Sequence, residues 1–239
     1  MTDALKYRRV LLKVSGEALL GDRGFGIDPA VVAGIASAIA ESVKLGAQIA
    51  VVVGGGNIFR GVSVAAGGGD RVTGDHLGMM ATVMNCLALR SALTDVGVQA
   101  HVLSALTMPE ICDRFTQRGA LQIMDAGGVL LLAGGTGNPF FTTDSGAALR
   151  AAELNCDALL KGTQVDGIYS ADPKKDPTAT RFERLTHQQV LEKDLRVMDT
   201  AAIALARDNG IPIIVFSIED PKAVIDVLKG QGRATLVDG

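Results

Sequence analysis

The stretch Val129-Leu130-Leu131-Leu132-Ala133-Gly134-Gly135-Thr136-Gly137-Asn138 places five apolar residues directly before a glycine-rich turn. A short apolar run that stops at glycine is typical of a parallel strand buried on both faces. The same pattern occurs at Ile49-Ala50-Val51-Val52-Val53, before Gly54-Gly55-Gly56-Asn57, and at Val10-Leu11-Leu12-Lys13-Val14, before Ser15-Gly16. Ligands of open α/β sheets bind beyond the carboxyl ends of the strands, where glycine lets backbone N–H groups approach a phosphate. The three loops therefore predict a pocket for several phosphates.

Apolar runs and helical patterns alternate along the whole sequence. Hydrophobic residues make up 48% of the 239 residues, but aromatic residues only 4%, and tryptophan is absent. The pattern predicts strands at residues 10–15, 48–53, 99–103, 129–133, 157–160 and 213–216, with an edge strand at 234–237. We therefore expect an α/β fold, a three-layer αβα sandwich with a mainly parallel central sheet. We expect one domain, 1–239, whose two lobes join near residue 162.

N-capping residues predict where the helices begin. Starts are expected at Asp28-Pro29, Asp75, Asp144, Thr186, Asp199 and Asp220-Pro221, with a further short helix after Pro109. For Asp75, capping is the interpretation that the sequence favours over ligand binding. For Asp144 two roles stay open, because it can cap a helix or position a lysine or a metal ion.

Three cationic side chains accompany the predicted strand ends. Lys13 stands two residues before Ser15, Lys161 precedes Gly162-Thr163, and Arg60 follows the glycine cluster at 54–56. Cationic groups at such positions can stabilise the oxygens of a transferring phosphate. The alternatives are a lysine that extends along a strand edge to water and, for the glycine cluster, a flexible turn.

The segment 135–144, Gly-Thr-Gly-Asn-Pro-Phe-Phe-Thr-Thr-Asp, combines backbone amides, hydroxyls, two aromatic rings and a carboxylate at a strand-to-helix junction. Such a loop can hold and orient a polar small molecule. The loop at 166–173 follows another strand, and it contains Tyr169 and Asp172-Pro173. This loop is positioned to cover a nucleotide base and ribose.

Composition and missing motifs argue against several classes of protein. The formal net charge is −3 without a strong basic patch, which argues against binding a nucleic-acid backbone. No uninterrupted apolar stretch approaches the ~20 residues of a membrane span, and the N-terminus lacks the apolar core of a secretory signal. The three cysteines, Cys86, Cys112 and Cys156, are scattered and odd in number, which predicts reduced thiols in the cytoplasm.

Four familiar signatures are absent from the sequence. There is no G-x-x-x-x-G-K-[ST], no complete G-x-G-x-x-G and no G-x-S-x-G, which disfavours a P-loop enzyme, a nicotinamide cofactor and an α/β-hydrolase. The histidines His76, His101 and His187 have no metal-binding spacing. No metal site formed by the protein alone is predicted.

Several of these segments together resemble the bacterial UMP kinases, a family of the amino-acid kinase superfamily, over essentially the whole chain. They are residues 13–17, 54–61, 74–79, 135–144, 161–163 and 166–173. The run Thr136-Gly137-Asn138-Pro139-Phe140-Phe141-Thr142-Thr143-Asp144-Ser145 is the specific part, since carboxylate kinases of the superfamily have different acceptor loops. Gln164 departs from the asparagine of many relatives, a change between two amides.

The resemblance implies the amino-acid kinase fold, with the phosphoryl acceptor in the N-terminal lobe, about 1–162, and ATP in the C-terminal lobe, about 163–239. It implies transfer of the ATP γ-phosphoryl group to UMP, which gives UDP for pyrimidine nucleotide (CTP) biosynthesis. The ATP-binding residues would be Lys13, Val14, Ser15, Gly16, Gly56, Arg60, Thr163, Tyr169 and Asp172. The UMP-binding residues would be Gly55, Asp75, Thr136, Gly137, Asn138, Pro139, Phe140, Phe141, Thr142 and Thr143.

Both substrates are anions, so chemistry and resemblance agree that Lys13, Arg60 and Lys161 should gather where the substrates meet, with Mg²⁺ bound to ATP. Together with Asp144, these three are the expected catalytic residues. Asp144 is expected to organise the lysines or the metal, not to act as a base. The resemblance also implies a homohexamer that GTP activates and UTP inhibits. The GTP response is tied to Gly21, Asp22, Arg23, Gly24, Phe25 and Gly26.

Two other functions remain open on the sequence. A carboxylate kinase of the same superfamily would phosphorylate glutamate, aspartate or a related acid. A storage protein of the same fold would bind nucleotide and oxyanions without turnover. The acceptor loop argues against the first, and the presence of Lys13, Arg60 and Asp144 favours catalysis over the second.

Overall fold

The computed structural model describes residues 4–59, 69–195, 197–220 and 222–239. Strands and helices alternate over much of these residues, as the sequence predicts, but four strands follow one another between residues 158 and 185. The strands are β1 (Arg9–Val14), β2 (Gln48–Val53), β3 (Ala100–Ser104), β4 (Asp113–Arg114), β5 (Val129–Ala133), β6 (Ala158–Thr163), β7 (Ile168–Tyr169), β8 (Arg181–Phe182), β9 (Arg184–Leu185), β10 (Ile213–Ser217) and β11 (Ala234–Val237).

Nine of these strands form one sheet in the order β4-β3-β5-β2-β1-β6-β10-β11-β9. Its pairs are parallel except β10 with β11. β11 was expected at the edge of the sheet, but β9 pairs with it on its outer side. β7 and β8 form a separate antiparallel pair.

Helices cover both faces of the sheet and give it three layers. They are α1 (Pro29–Lys44), α2 (Arg71–Asp95), α3 (Gln117–Asp125), α4 (Thr143–Glu153), α5 (His187–Glu192), α6 (Thr200–Asp208) and α7 (Ala223–Leu228), and a 3₁₀ helix spans Gly16–Leu19. The first buried cluster joins the sheet to α1, α2 and α7. The second joins it to α3, α4, α5 and α6. The predicted three-layer αβα fold is confirmed, whereas the division into two lobes stays a prediction.

Three of the predicted helix starts are confirmed by their caps. Asp28 accepts hydrogen bonds from the backbone of α1, which begins with Pro29. Thr186 forms a capping box with Gln189 at α5, and Asp199 caps α6. Each of these residues satisfies backbone N–H groups that the first turn of a helix leaves unpaired.

For the next two helices the cap differs from the predicted one, because a residue nearby takes the capping position. Asp70 caps α2 by accepting from Thr73 N at 2.8 Å, so the helix begins one turn before Asp75. Thr142 caps α4 by accepting from Asp144 N at 3.0 Å. The side chains of Asp75 and Asp144 are therefore free of capping and available to the site.

The last two predicted starts are displaced along the chain. The helix expected after Pro109 begins instead at Gln117, where Thr116 is its cap. Asp220 accepts from Lys222 N at 2.9 Å and does not cap α7, which has no side-chain cap. Pro221, expected at that start, lies outside the described residues.

Helix α2 has 25 residues and, by length and composition alone, is long and apolar enough to cross a membrane. Its inner face instead belongs to the core, through Val83, Cys86, Leu89 and Leu93. Its outer face exposes Leu77, Met80 and Met84. We therefore interpret α2 as a core helix with an apolar outer face.

Candidate active site

The register of the sheet brings two lysines together. β1 pairs in parallel with β6, and Lys13 lies directly opposite Lys161. Since side chains alternate along a strand, Lys13 shares a face with Leu11, which packs in the cluster under α4. Both ammonium groups therefore reach toward the first turn of α4, near the carboxyl ends of their strands.

Asp144 bridges the two lysines. Lys13 Nζ lies 2.7 Å from Asp144 Oδ1, and Lys161 Nζ lies 2.9 Å from Oδ2. Lys161 also donates to the backbone carbonyl of Val197. The side chains of Lys13, Lys161 and Asp144 are only 9%, 12% and 15% exposed, so removal of one partner would leave largely buried charge uncompensated.

The electrostatics of this bridge keep the carboxylate ionised. Burial would raise the pKa of Asp144, but the charges of Lys13 and Lys161 outweigh it and hold the pKa below its usual value. Burial lowers the pKa of Lys161, and repulsion from Lys13 adds to this, while Asp144 opposes it. An ionised carboxylate between two ammonium groups is a poor proton acceptor, but it fixes their positions well.

A cleft of about 820 Å³ opens beside β6, and we call it the β6 cleft. Its lining includes Lys13, Ser15, Lys161, Thr163, Tyr169 and Asp172. Tyr169 donates its hydroxyl hydrogen to Asp166 Oδ1 at 2.6 Å, which fixes the ring in the loop over the cleft. The structure thus brings together most of the residues expected to bind ATP, although their assignment to that ligand stays a prediction.

Val14, Gly16 and Gly56 do not line the β6 cleft. Val14 is fully buried in the sheet. A Cβ on Gly16 would lie 2.5 Å from Gly54 O, so glycine is needed where the two loops touch. Gly56 lies in the wall of a second cavity, and Arg60 lies outside the described residues.

The second cavity, of about 310 Å³, lies between α2 and the loop after β5, and we call it the α2 cavity. Seven of the residues expected to bind UMP line it: Gly55, Asp75, Thr136, Asn138, Phe141, Thr142 and Thr143. Gly137, Pro139 and Phe140 do not. Two lining residues, Arg71 and Thr82, lie outside every segment that the sequence analysis singled out.

Asp75 joins helix α2 to the loop after β5. Its Oδ2 accepts the backbone N–H of Phe140 at 2.7 Å, and Arg71, one turn earlier, donates to both of its carboxylate oxygens at 2.9 Å. The Arg71 guanidinium also lies 5.7 Å from the centre of the Phe140 ring. The spacing of four residues between Arg71 and Asp75 was the available sequence signal for this ion pair.

The loop itself has an unusual backbone. Gly134, Gly135 and Gly137 have φ of 76°, 56° and 79°, which glycine adopts without strain. Phe140 has φ 70°, a conformation that costs free energy for a residue with a side chain, and its bond to Asp75 stabilises it. These four residues turn the loop back toward α2, where the Phe140 N–H reaches Asp75.

Asp199 is a further residue whose contacts the sequence did not predict. Besides capping α6, it accepts from the hydroxyl of Thr142 and from Ser145 Oγ at 2.9 Å. Thr142 belongs to the α2 cavity, so Asp199 ties α6 to the end of the loop after β5.

The segment 21–26, which includes Gly24, lies beside the site but lines neither cavity described above. Gly21 and Asp22 line a separate cavity of about 410 Å³ against α1, Arg23 pairs with Asp28, and Phe25 is exposed. Gly26 N donates to Asn57 O at 3.0 Å, and Asn57 Nδ2 donates to Gly26 O at 2.9 Å. These two bonds tie the end of the segment to the glycine-rich loop after β2.

A mainly parallel sheet with helices on both faces, glycine-rich loops at its carboxyl edge and a lysine–aspartate–lysine bridge together define a class of phosphate-transferring proteins. The model of the amino acid kinase family matches residues 8–217. The chain belongs to the amino acid kinase family.

The chain is similar to enzymes named for one substrate within that class. It is 65% identical to the uridylate kinase of Brucella abortus over 237 residues, which cover 99% of both chains. The solved UMP kinase of Bacillus anthracis superposes with a TM-score of 0.93 at 35% identity, covering 97% of this chain and 96% of that one. The solved UMP kinase of Ureaplasma parvum superposes with a TM-score of 0.92 at 36% identity, covering 98% of this chain and 100% of that one.

Proposed function

We propose that this enzyme transfers the γ-phosphoryl group of ATP to the phosphate of UMP and releases UDP and ADP. The observation that carries the proposal is the Lys13–Asp144–Lys161 bridge. The two lysines line the β6 cleft, and Asp144 directly follows Thr142 and Thr143, which line the α2 cavity. Similarity to uridylate kinases over the whole chain supports UMP as the acceptor.

The reaction needs charge compensation more than it needs bond-making groups on the protein. An oxygen of the UMP phosphate attacks the γ-phosphorus, the bond from that phosphorus to the bridging oxygen breaks, and ADP leaves with the electron pair. Both reactants are anions, so their approach requires positive charge, which Lys13 and Lys161 supply. The phosphate of UMP is already ionised near neutral pH, so no general base is required, and the lowered pKa of Asp144 fits a positioning role.

Mg²⁺ is proposed to arrive with ATP. The described residues include no group of three or more His, Cys, Asp or Glu side chains that could hold a metal. A Mg²⁺ that arrives with ATP would be held mainly by phosphates and water. Asp144 Oδ1 is buried and lies 2.7 Å from Lys13 Nζ, so Asp144 would position that lysine beside Mg²⁺-bound ATP. When bound, Mg²⁺ would neutralise part of the phosphate charge.

We also propose a homohexamer in the cytoplasm, activated by GTP through residues 21–26, inhibited by UTP and serving pyrimidine nucleotide synthesis. The exposed apolar face of α2, with Leu77, Met80 and Met84, supports assembly. The three cysteines are free and buried, which supports a reducing compartment. Light scattering and GTP and UTP titrations of the activity test the assembly and its effectors.

The test of the main proposal is ADP formation from ATP and Mg²⁺ with UMP, CMP, glutamate or aspartate as acceptor. We expect turnover with UMP and little with the other three, and near-background rates for Lys13→Ala. Preference for an amino acid would establish a carboxylate kinase instead. Negligible turnover together with tight oxyanion uptake would establish a storage protein.

A further inference from the structure

Helix α2 places two polar side chains against the glycine-rich loops. Thr82 and Asn85 are three residues apart, so they share the buried face of the helix, and they are 2% and 1% exposed. Buried polar groups are costly unless they are hydrogen-bonded. Each of them forms at least one hydrogen bond to backbone outside its own helix, Thr82 with Gly134 N and Asn85 with Gly54 O.

Asn85 fixes the helix against the loop after β2. It donates to Gly54 O at 2.7 Å and to Asn57 Oδ1 at 2.8 Å, and its Oδ1 accepts from Asn57 at 2.9 Å. Next to this pair, a Cβ on Gly55 would lie 2.7 Å from Gly78 O, so the loop and the helix are in direct contact. These contacts fix α2 against the loop after β2, so a residue on α2 can in turn hold another part of the site in place.

Thr82 attaches the loop after β5 to helix α2. Its hydroxyl donates to Met79 O at 2.6 Å and accepts the backbone N–H of Gly134 at 2.8 Å. The hydroxyl of Thr82 thus donates its hydrogen within the helix and accepts a hydrogen bond from the loop. Gly134 is the first residue after β5 and has φ 76°, so its orientation sets the direction of the backbone that follows.

We propose that Thr82 is a positioning residue for the phosphoryl acceptor, acting through the amide of Gly134. The residues that follow Gly134, including Thr136 and Asn138, line the α2 cavity. Without the hydroxyl, the Gly134 N–H is left buried and unpaired, and the loop that lines the cavity loses a bond that fixes its position. The inference rests on the proposed function, in which the α2 cavity holds UMP.

The test is Thr82→Val, which keeps the shape of the side chain and removes the hydroxyl. Loss of a buried hydrogen bond of this kind weakens binding by roughly tenfold, so the KM for UMP should rise by about that factor. The KM for ATP and kcat should stay within about twofold of the parent enzyme. Thr82→Ser keeps the hydroxyl and should restore the KM for UMP.

Thr94→Val is the matched control, because Thr94 lies on the same helix and its hydroxyl donates to Arg90 O at 2.9 Å, within that helix. It should leave both KM values unchanged. If Thr82→Val does not fold, Thr82→Cys provides the same test, since a thiol is a weak acceptor of similar size.

The proposal is overturned if the valine or cysteine variant keeps the parent KM for UMP. It is also overturned if both KM values, kcat and the melting temperature change together and serine does not restore them, because that would be a general loss of structure. Failure of the proposed function is distinguishable, since the parent enzyme would then not turn over UMP at all.

Discussion

The β6 cleft and the α2 cavity are adjacent, yet different parts of the chain form them. In the cleft, two lysines stand on neighbouring strands, and Asp144 holds Lys13 and Lys161 within 3 Å of its oxygens. The α2 cavity lies between helix α2 and the loop after β5, whose backbone contains four left-handed residues. Charge governs the first region and backbone shape governs the second.

The difference has a consequence for the two substrates. Fixed positive charge is most effective where charge moves during the reaction, so changes in the cleft should lower kcat. A shaped backbone recognises the outline of a small molecule, so changes around the α2 cavity should raise the KM of the acceptor. The following variants test this division.

Lys13→Ala should have the largest effect. We expect kcat to fall by about 10²–10³-fold with a much smaller rise in the KM for UMP, because the lysine matters most as phosphate charge redistributes. Steady-state kinetics with both substrates varied measure this, and Lys44→Ala at the exposed end of α1 is the control. A defect confined to the KM for UMP would contradict the division.

Asp144→Asn should affect both stability and turnover. The substitution leaves two largely buried ammonium groups without their carboxylate, which should cost about 3 kcal/mol of unfolding free energy and lower kcat. Urea denaturation and kinetics measure the two effects. Asp125→Asn removes an exposed ion pair with Arg9 and should cost about 1 kcal/mol or less. Near-normal kcat in Asp144→Asn would show that the carboxylate does not organise the lysines.

Asp75→Asn should act on the acceptor alone. Weakening of its bonds to Phe140 N and Arg71 should raise the KM for UMP by about tenfold, with little change in the KM for ATP. Asp95→Asn, at the other end of α2, is the control and should have no effect. A change confined to the KM for ATP would contradict this prediction, because it would connect Asp75 with the β6 cleft and not with the α2 cavity.

The smallest expected effect is a pH dependence of stability. The pKa of Asp144 is lower in the folded protein than its usual 3.8, so the stabilisation is present above that value and is lost as pH falls through the folded pKa. The gap in unfolding free energy between the parent and Asp144→Asn should therefore narrow in this acid range, by at most about 1.4 kcal/mol per pH unit. Urea denaturation at several pH values measures the gap, and a gap that widens with acid would contradict the assignment.

Local sequence patterns predicted much of the fold. The run at 129–133 became β5, and the loop after it has the left-handed glycines that its composition suggests. Asp28, Thr186 and Asp199 were correctly predicted as caps, because capping depends on a few neighbouring residues. Asp75 was wrongly predicted as a cap, since Asp70 is an equally good cap five residues earlier, and local pattern cannot decide between them.

The partners of the site residues could not be predicted in the same way. Thr82 and Gly134 are 52 residues apart in sequence, and Asn85 and Gly54 are 31 apart. In the sequence, Thr82 and Asn85 look like ordinary polar residues of a helix. Their contacts with Gly134 and Gly54 form only because α2 packs against the loops.

The sequence by itself determined the order of strands and helices along the chain, the glycine turns and the kinds of charge at the strand ends. These depend on hydrophobic periodicity and on the conformational freedom of single residues, which act over a few neighbours. The tertiary structure decided that Lys13 lies opposite Lys161 with Asp144 between them, and that Thr82 meets Gly134. Such pairings depend on sheet register and helix packing, which set distances of about 3 Å between residues far apart in the chain.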